Sequence, residues 1–223
     1  MYLTKLSFAI VALATVAVAQ NPITADAPFQ VRYAANLNLG ESWINITNTG
    51  ANGAPLNGPG FGGAAGNICV NVYAFSSDEQ LVSCCSCLVT PNGLVNLGVK
   101  RDLTDNTLTG VVPNSVVIKL VATGAGGTGG TGTSCSNSAA LAGDSAHPIV
   151  NGLAAWGTTL HVGAAADTAP TTVATTETKF TPATLSAGEL ASITNRCTNI
   201  IGNGSGFGIC KSCRAGALGA DKQ

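Results

Sequence analysis

Residues 81–95 read LVSCCSCLVTPNGLV and place Cys84, Cys85 and Cys87 within four consecutive positions, directly before a proline-asparagine-glycine turn. On a β-strand, successive side chains point to opposite faces. Cys85 and Cys87 should therefore point one way and Cys84 the other. We predict that this strand is tied covalently to two different pieces of chain, one on each face.

Eight cysteines occur in the chain, the other five being Cys69, Cys135, Cys197, Cys210 and Cys213. In an oxidising compartment an even number of thiols can pair completely, although sequence alone leaves the connectivity open. A zinc site built from CCSC and CKSC is one alternative, and a thioredoxin-like redox motif at CKSC is another. The first cluster lacks CxxC spacing and no βαβ context precedes the second. We therefore predict disulfides, no metal and no cofactor, with the C-terminal cysteines supplying at least one partner for the strand.

The first twenty residues, MYLTKLSFAIVALATVAVAQ, have the three parts of a secretory signal. Lys5 provides the positive region, residues 6–14 an apolar core too short to cross a bilayer, and residues 17–19 a small-x-small cleavage site. We predict a signal peptide over residues 1–19, followed by a secreted, extracellular chain over residues 20–223. Later apolar runs are strand-sized, so no transmembrane segment is expected.

Charged residues make up only 9% of the chain, and its formal net charge is −1. Lys100-Arg101 is the only adjacent basic pair. Nucleic-acid binding needs a basic face that neutralises several phosphates, so the composition excludes that class of partner. A surface covered by Thr, Ser, Asn, Gly and Ala is typical of proteins that stay outside cells or pack against copies of themselves.

Short β-prone runs separated by turn residues fill the region from residue 29 to residue 123. The runs are FQVRYAANLNL, SWINITNTG, ICVNVYAF, EQLVSCCSCLVT, GLVNLGV and SVVIKLVATG. No helical periodicity intervenes, which predicts a mainly β fold: an antiparallel β-sandwich, immunoglobulin-like or related, rather than an α/β sheet. HPIVNGLAAWGTTLHV and TETKFTPATL are expected to add strands to the same single domain. Glycine-rich loops are expected at about 49–67 and 123–138, and the second lacks a phosphate-binding pattern.

One C-terminal helix is predicted. Ser186 and Glu189 match a capping box, and Gly202 ends the apolar repeat. Leu190, Ile193, Cys197 and Ile200 recur at helical spacing, so Cys197 should lie on the buried face, ready to bridge to the sheet.

Three segments, GESWINITNTGANG, GNICVNVYAF and LVSCCSCLVTPNGLV, resemble a group of secreted, cysteine-containing bacterial proteins of unassigned function. The resemblance covers residues 29–123 and extends more weakly to the helix and GICKSC. It implies bacterial export and carries over no catalytic residues.

The inventory of catalytic side chains is small. His147 and His161 belong to no recognised catalytic motif, and we interpret both as surface or structural residues. The acids that could form a carboxylate pair are interpreted as solvated residues of turns; they are Asp78, Glu79, Asp102 and Asp105. We therefore expect no enzyme activity, while a hydrolase would need one histidine to meet a carboxylate.

Aromatic residues could form a sugar-stacking platform. Trp43 and Trp156 are the candidate ligand-stacking residues, with Tyr33 and Tyr73 beside them, although the low aromatic content favours a place in the core. Asn45 and Asn203 begin glycosylation sequons, which matter only in a host that glycosylates.

These patterns favour a secreted structural or adhesive protein that self-assembles into a surface layer or filament. The alternative is a carbohydrate-binding module that uses Trp43 or Trp156. The expected partners are accordingly further copies of the chain or a surface glycan.

Overall fold

A computed structural model describes residues 27–57, 65–126, 135, 147–163 and 173–211. The predicted signal peptide, Cys213, residues 58–64 of the first predicted glycine-rich loop and most of the second lie outside the described residues.

The described residues form two antiparallel sheets. The strands are β1 (Phe29–Ala34), β2 (Trp43–Asn48), β3 (Ile68–Phe75), β4 (Leu81–Val89), β5 (Leu94–Gly98), β6 (Val116–Gly124), β7 (Leu153–Val162), β8 (Val173–Lys179) and β9 (Thr181–Pro182). Five strands pair in the order β4-β3-β6-β1-β9, and four pair in the order β5-β2-β7-β8. The predicted mainly β, sandwich-like fold is confirmed, and its immunoglobulin-like identity stays a prediction.

Alternation along the strands builds the core between the sheets. In β2 the inward positions are buried and the outward ones half-buried. β3 is buried on both faces, because the four-stranded sheet lies on one side and a helix on the other. The strands contribute large, fully buried side chains to this core, among them Ile44, Ile46, Ile68, Leu97, Ile118, Leu120 and Leu153.

Helix α1 (Ala187–Gly202) covers the outer face of the five-stranded sheet, as its apolar repeat predicts. Its four predicted apolar positions are all buried. The oxygen of the Ser186 side chain accepts a hydrogen bond from the Glu189 amide at 3.1 Å. The Glu189 carboxylate pairs with Lys119 instead of returning to the Ser186 amide. Only half of the capping box therefore forms, and its other half ties the helix to β6. Among the described residues, no helix combines the length and apolar character needed to span a membrane.

Two disulfides attach β4 to the C-terminal region on opposite faces. Cys84 bonds Cys197 of α1, and Cys85 bonds Cys210 beyond the helix. Cys84 belongs to the helix-side cluster, whereas Cys85 belongs to the core between the sheets. The predicted attachment on two faces is confirmed.

The remaining described cysteines are also oxidised. Cys69 of β3 bonds Cys135. Cys87 is disulfide-bonded as well, so no described cysteine is free. Disulfides therefore brace two adjacent strands of the five-stranded sheet, β3 and the edge strand β4.

The C-terminal segment also covers the open edge of β4. The Cys84 amide donates to the Gly208 carbonyl at 2.9 Å, and the Cys210 amide donates to the Cys84 carbonyl at 3.3 Å. Ile209 thereby forms a parallel bridge with Cys84. Because this edge is already hydrogen-bonded, it cannot act as a template for another strand there.

Candidate binding face

The outer face of the four-stranded sheet carries the candidate site. Helix α1 lies on the other sheet, so the outward side chains of β5, β2, β7 and β8 remain partly or fully exposed. We call this surface the tryptophan face. It comprises Trp43, Asn45, Thr47, Asn96, Trp156, Thr158, Glu177 and Lys179.

Both tryptophans lie on this face and not in the core. Each tryptophan is half-buried, and the neighbouring inward positions are occupied by Ile44 and Ala155. The expectation of core tryptophans was wrong. The alternation of β2 and β7 contains the signal that would have corrected it, since Trp43 alternates with Ile44 and Ile46.

The strand register places the two indole rings near each other. Trp156 is directly opposite Asn45, so Trp43 is its diagonal neighbour across the β2–β7 pair. Such diagonal positions are about 7–8 Å apart, within reach of large side chains. The register therefore places the two tryptophans at neighbouring positions on one sheet surface.

A cation lies over each ring. The Arg101 guanidinium carbon is 5.0 Å from the Trp43 ring centroid, and the Lys179 ammonium nitrogen is 5.8 Å from that of Trp156. Cation–π contacts at such partly exposed sites contribute about 0.5–1 kcal/mol. These contacts restrict the two rings and place a positive charge over each of them.

A hydrogen-bonded polar strip runs beside Trp156. Asn96 donates to the Asn45 side-chain oxygen at 2.7 Å, and Asn45 donates to a Glu177 carboxylate oxygen at 2.7 Å. The strip crosses the face from β5 to β8. Aromatic rings can stack on the apolar faces of sugars, and amides and carboxylates can bind sugar hydroxyls.

Asn45 and Asn203, the predicted sequon residues, have different surroundings. Asn45 is central in the polar strip, with both ends of its amide hydrogen-bonded. Asn203 caps the end of α1 and accepts a hydrogen bond from the Ser205 amide.

The predicted turn acids divide into three exposed residues and one buried residue. Asp78 and Glu79 lie in the β3–β4 turn, where the Ser76 hydroxyl lowers the pKa of Asp78 by hydrogen bonding. Asp105 is exposed and pairs with Lys211.

Asp102 is 2% exposed, so its interpretation as a solvated acid was wrong. It belongs to a π-helical turn (Val99–Thr104) that sequence reasoning missed. Its carboxylate accepts a hydrogen bond from the Gly98 amide at 2.6 Å and pairs with Arg101 at 2.9 Å. The acid therefore holds in place the arginine that stacks on Trp43.

The structure does not assemble the candidate catalytic residues into a described centre. His161 lies at the end of β7 and shares a hydrogen bond with the Thr176 hydroxyl, not with a carboxylate. His147 lies half-buried before Pro148. In the described ranges, no three His, Cys, Asp or Glu residues group closely enough to hold a metal ion.

No family model, curated protein or solved structure matches the chain. The resemblance to secreted bacterial proteins therefore stays a prediction.

Proposed function

We propose that the protein is a secreted extracellular adhesive protein that attaches to carbohydrate through the tryptophan face. The observation that carries this proposal is the position of two partly exposed tryptophans as diagonal neighbours beside a hydrogen-bonded polar strip on one sheet face. Hydrophobic core requirements do not explain their position, because both point away from the core.

Three features support this kind of ligand. A flat sheet surface suits an extended polysaccharide better than a compact metabolite, since it offers no deep enclosure. The polar strip supplies both donors and acceptors next to Trp156. The disulfides attach β3 and β4 of the five-stranded sheet to distant segments and thereby stabilise the sandwich that carries the tryptophan face.

Binding to insoluble polysaccharides such as cellulose, chitin and xylan tests the proposal. Trp43→Ala and Trp156→Ala should each weaken binding about thirtyfold, since truncating a tryptophan hot spot costs about 2 kcal/mol. Phe207→Ala is the control, because Phe207 is an aromatic residue 52% exposed in the segment after α1 and outside the tryptophan face. Retained binding in both tryptophan variants, or no binding by the native protein to any of these polymers, would contradict the proposal.

Self-assembly is a second candidate function, favoured by the edge strand β8. All seven of its residues are exposed, and its only described strand partner is β7. A long exposed edge can pair with a strand of another copy. Thr175→Lys together with Ala174→Lys should then abolish association seen by sedimentation and electron microscopy, because edge lysines oppose strand addition. A native protein that stays monomeric at high concentration would eliminate this candidate.

A further inference from the structure

A buried arginine connects the two sheets at the edge formed by β1 and β8. Arg32 points inward from β1 and is 8% exposed. Its Nη1 donates to the Thr178 carbonyl and hydroxyl at 2.9 and 2.6 Å, and its Nη2 donates to the Thr159 hydroxyl at 2.7 Å. A side chain at Gly157 would place its Cβ 2.5 Å from Arg32 Nε, so the glycine provides the space that this arginine occupies.

The charge of Arg32 has no direct counter-ion among the described residues, although its guanidinium carbon lies 5.9 Å from the Phe180 ring centroid in a cation–π contact. All three hydrogen-bond partners are neutral, and no described carboxylate forms a salt bridge with it. Three of the five guanidinium N–H groups are used, and Nε has no partner. Burial lowers the pKa of Arg32, and the charge of Glu177 opposes that effect only in part. Buried charges are normally paired, so this arrangement calls for an explanation.

Arg32 lines an open groove of about 420 Å³, which we call the Arg32 groove. Its lining residues with polar side chains are Arg32, Lys179, Tyr33 and the threonines Thr159, Thr178 and Thr181, with no acidic residue. Two cations and four hydroxyl groups suit an oxyanion, because guanidinium and hydroxyl groups donate hydrogen bonds to it.

The groove adjoins the tryptophan face. Lys179 lines the groove and also lies over the Trp156 ring. One bound chain could therefore stack on the indoles and place an anionic substituent beside Arg32.

We propose that the Arg32 groove binds the sulfate or carboxylate group of an acidic polysaccharide, a specificity that rests on the carbohydrate binding proposed above. The bound anion is the counter-ion of the Arg32 guanidinium group. Neutral polysaccharides use the tryptophan face alone, whereas sulfated or uronic-acid polymers use both surfaces.

Dextran sulfate and dextran are the polymer probes, and sodium sulfate against sodium chloride of equal ionic strength tests the free anion. The native protein should bind dextran sulfate at least tenfold more tightly than dextran. Arg32→Met should remove that preference and the specific thermal stabilisation by sulfate. Arg196→Met is the control, because Arg196 is exposed on α1 and outside the groove lining. Replacing a buried charge that has no paired carboxylate with an apolar side chain of similar length should leave the fold intact.

Lys179→Met provides a second readout if Arg32→Met does not fold, and should weaken dextran sulfate binding at least threefold. Equal preference for dextran sulfate in the native, Arg32→Met and Lys179→Met proteins would overturn the proposal. Arg32-dependent stabilisation by sulfate without a preference for dextran sulfate would overturn the polysaccharide as the source of the anion. If the proposed carbohydrate binding is wrong, the native protein will bind neither dextran sulfate nor dextran. The comparison of sodium sulfate with sodium chloride will then still test whether the Arg32 groove binds sulfate.

Discussion

The two bridges that link β4 to the C-terminal region should be energetically coupled. Cys84–Cys197 spans 113 residues of sequence. A loop of that length lowers the conformational entropy of the unfolded chain by an amount worth about 5 kcal/mol at 25 °C. When Cys85–Cys210 is intact, however, it already joins the same two segments, one residue from Cys84 and 13 residues from Cys197. Closing the remaining loop of about 14 residues is then worth only about 3 kcal/mol.

A double-mutant cycle measures this difference. One variant replaces Cys84 and Cys197 with alanine, a second replaces Cys85 and Cys210, and a third replaces all four. Every protein in the cycle also carries Cys87→Ala and Cys213→Ala, so that only the two bridges differ. Loss of buried sulfur creates the same cavity in both backgrounds, and its energetic effect cancels in the cycle.

Urea unfolding at 25 °C provides the free energies. Removal of Cys84–Cys197 should cost about 2 kcal/mol more when Cys85–Cys210 is absent than when it is present. The urea m-value should also rise with each bridge removed, because the unfolded chain becomes less compact. Additive costs, within about 0.5 kcal/mol, would refute the shared-loop reasoning.

Three further substitutions test individual contacts by urea unfolding. Tyr73→Phe should not destabilise the protein at pH 7, because the buried Tyr73 hydroxyl has no hydrogen-bond partner. Burial raises the pKa of Tyr73 in the folded protein. The neutral phenol therefore favours the folded state below the unfolded pKa of about 10, and this preference is lost as the pH rises above that value. Between pH 7 and pH 10.5 the variant should therefore lose less stability than the native protein. Asp102→Asn should cost about 1–3 kcal/mol and weaken polysaccharide binding, since it removes the charge that holds Arg101 over Trp43, and unchanged stability would contradict this. Ser186→Ala should cost about 1 kcal/mol by removing the cap of α1, whereas Ser205→Ala outside the helix should cost less.

Local chemistry predicts much of this fold. Strand alternation and turn residues predict the sandwich, and the CCSC spacing predicts opposed bridges without their partners. The helix follows from the Ser186 cap and the apolar repeat. These features depend on neighbours within a few residues, which is the information that a single sequence contains.

The features that sequence reasoning missed depend on strand register and on contacts between distant segments. Trp43 and Trp156 become neighbours only through the pairing of β2 with β7. Arg32 meets Thr178 across 146 residues of sequence, and no local pattern indicates that Gly157 leaves space for it. Asp102 lies in a polar stretch typical of an exposed turn, yet the π-helical turn buries it.

The adjacent half-cystines of β4 also lock the register of that strand. A slip by one residue would turn Cys84 towards the inter-sheet core and Cys85 towards the helix, and every neighbouring side chain would reverse with them. If Cys84 bonded Cys210 and Cys85 bonded Cys197, the two faces of β4 would therefore have to be reversed. The two bonds can therefore close together in this pairing only when Cys84 faces the helix and Cys85 faces the inter-sheet core.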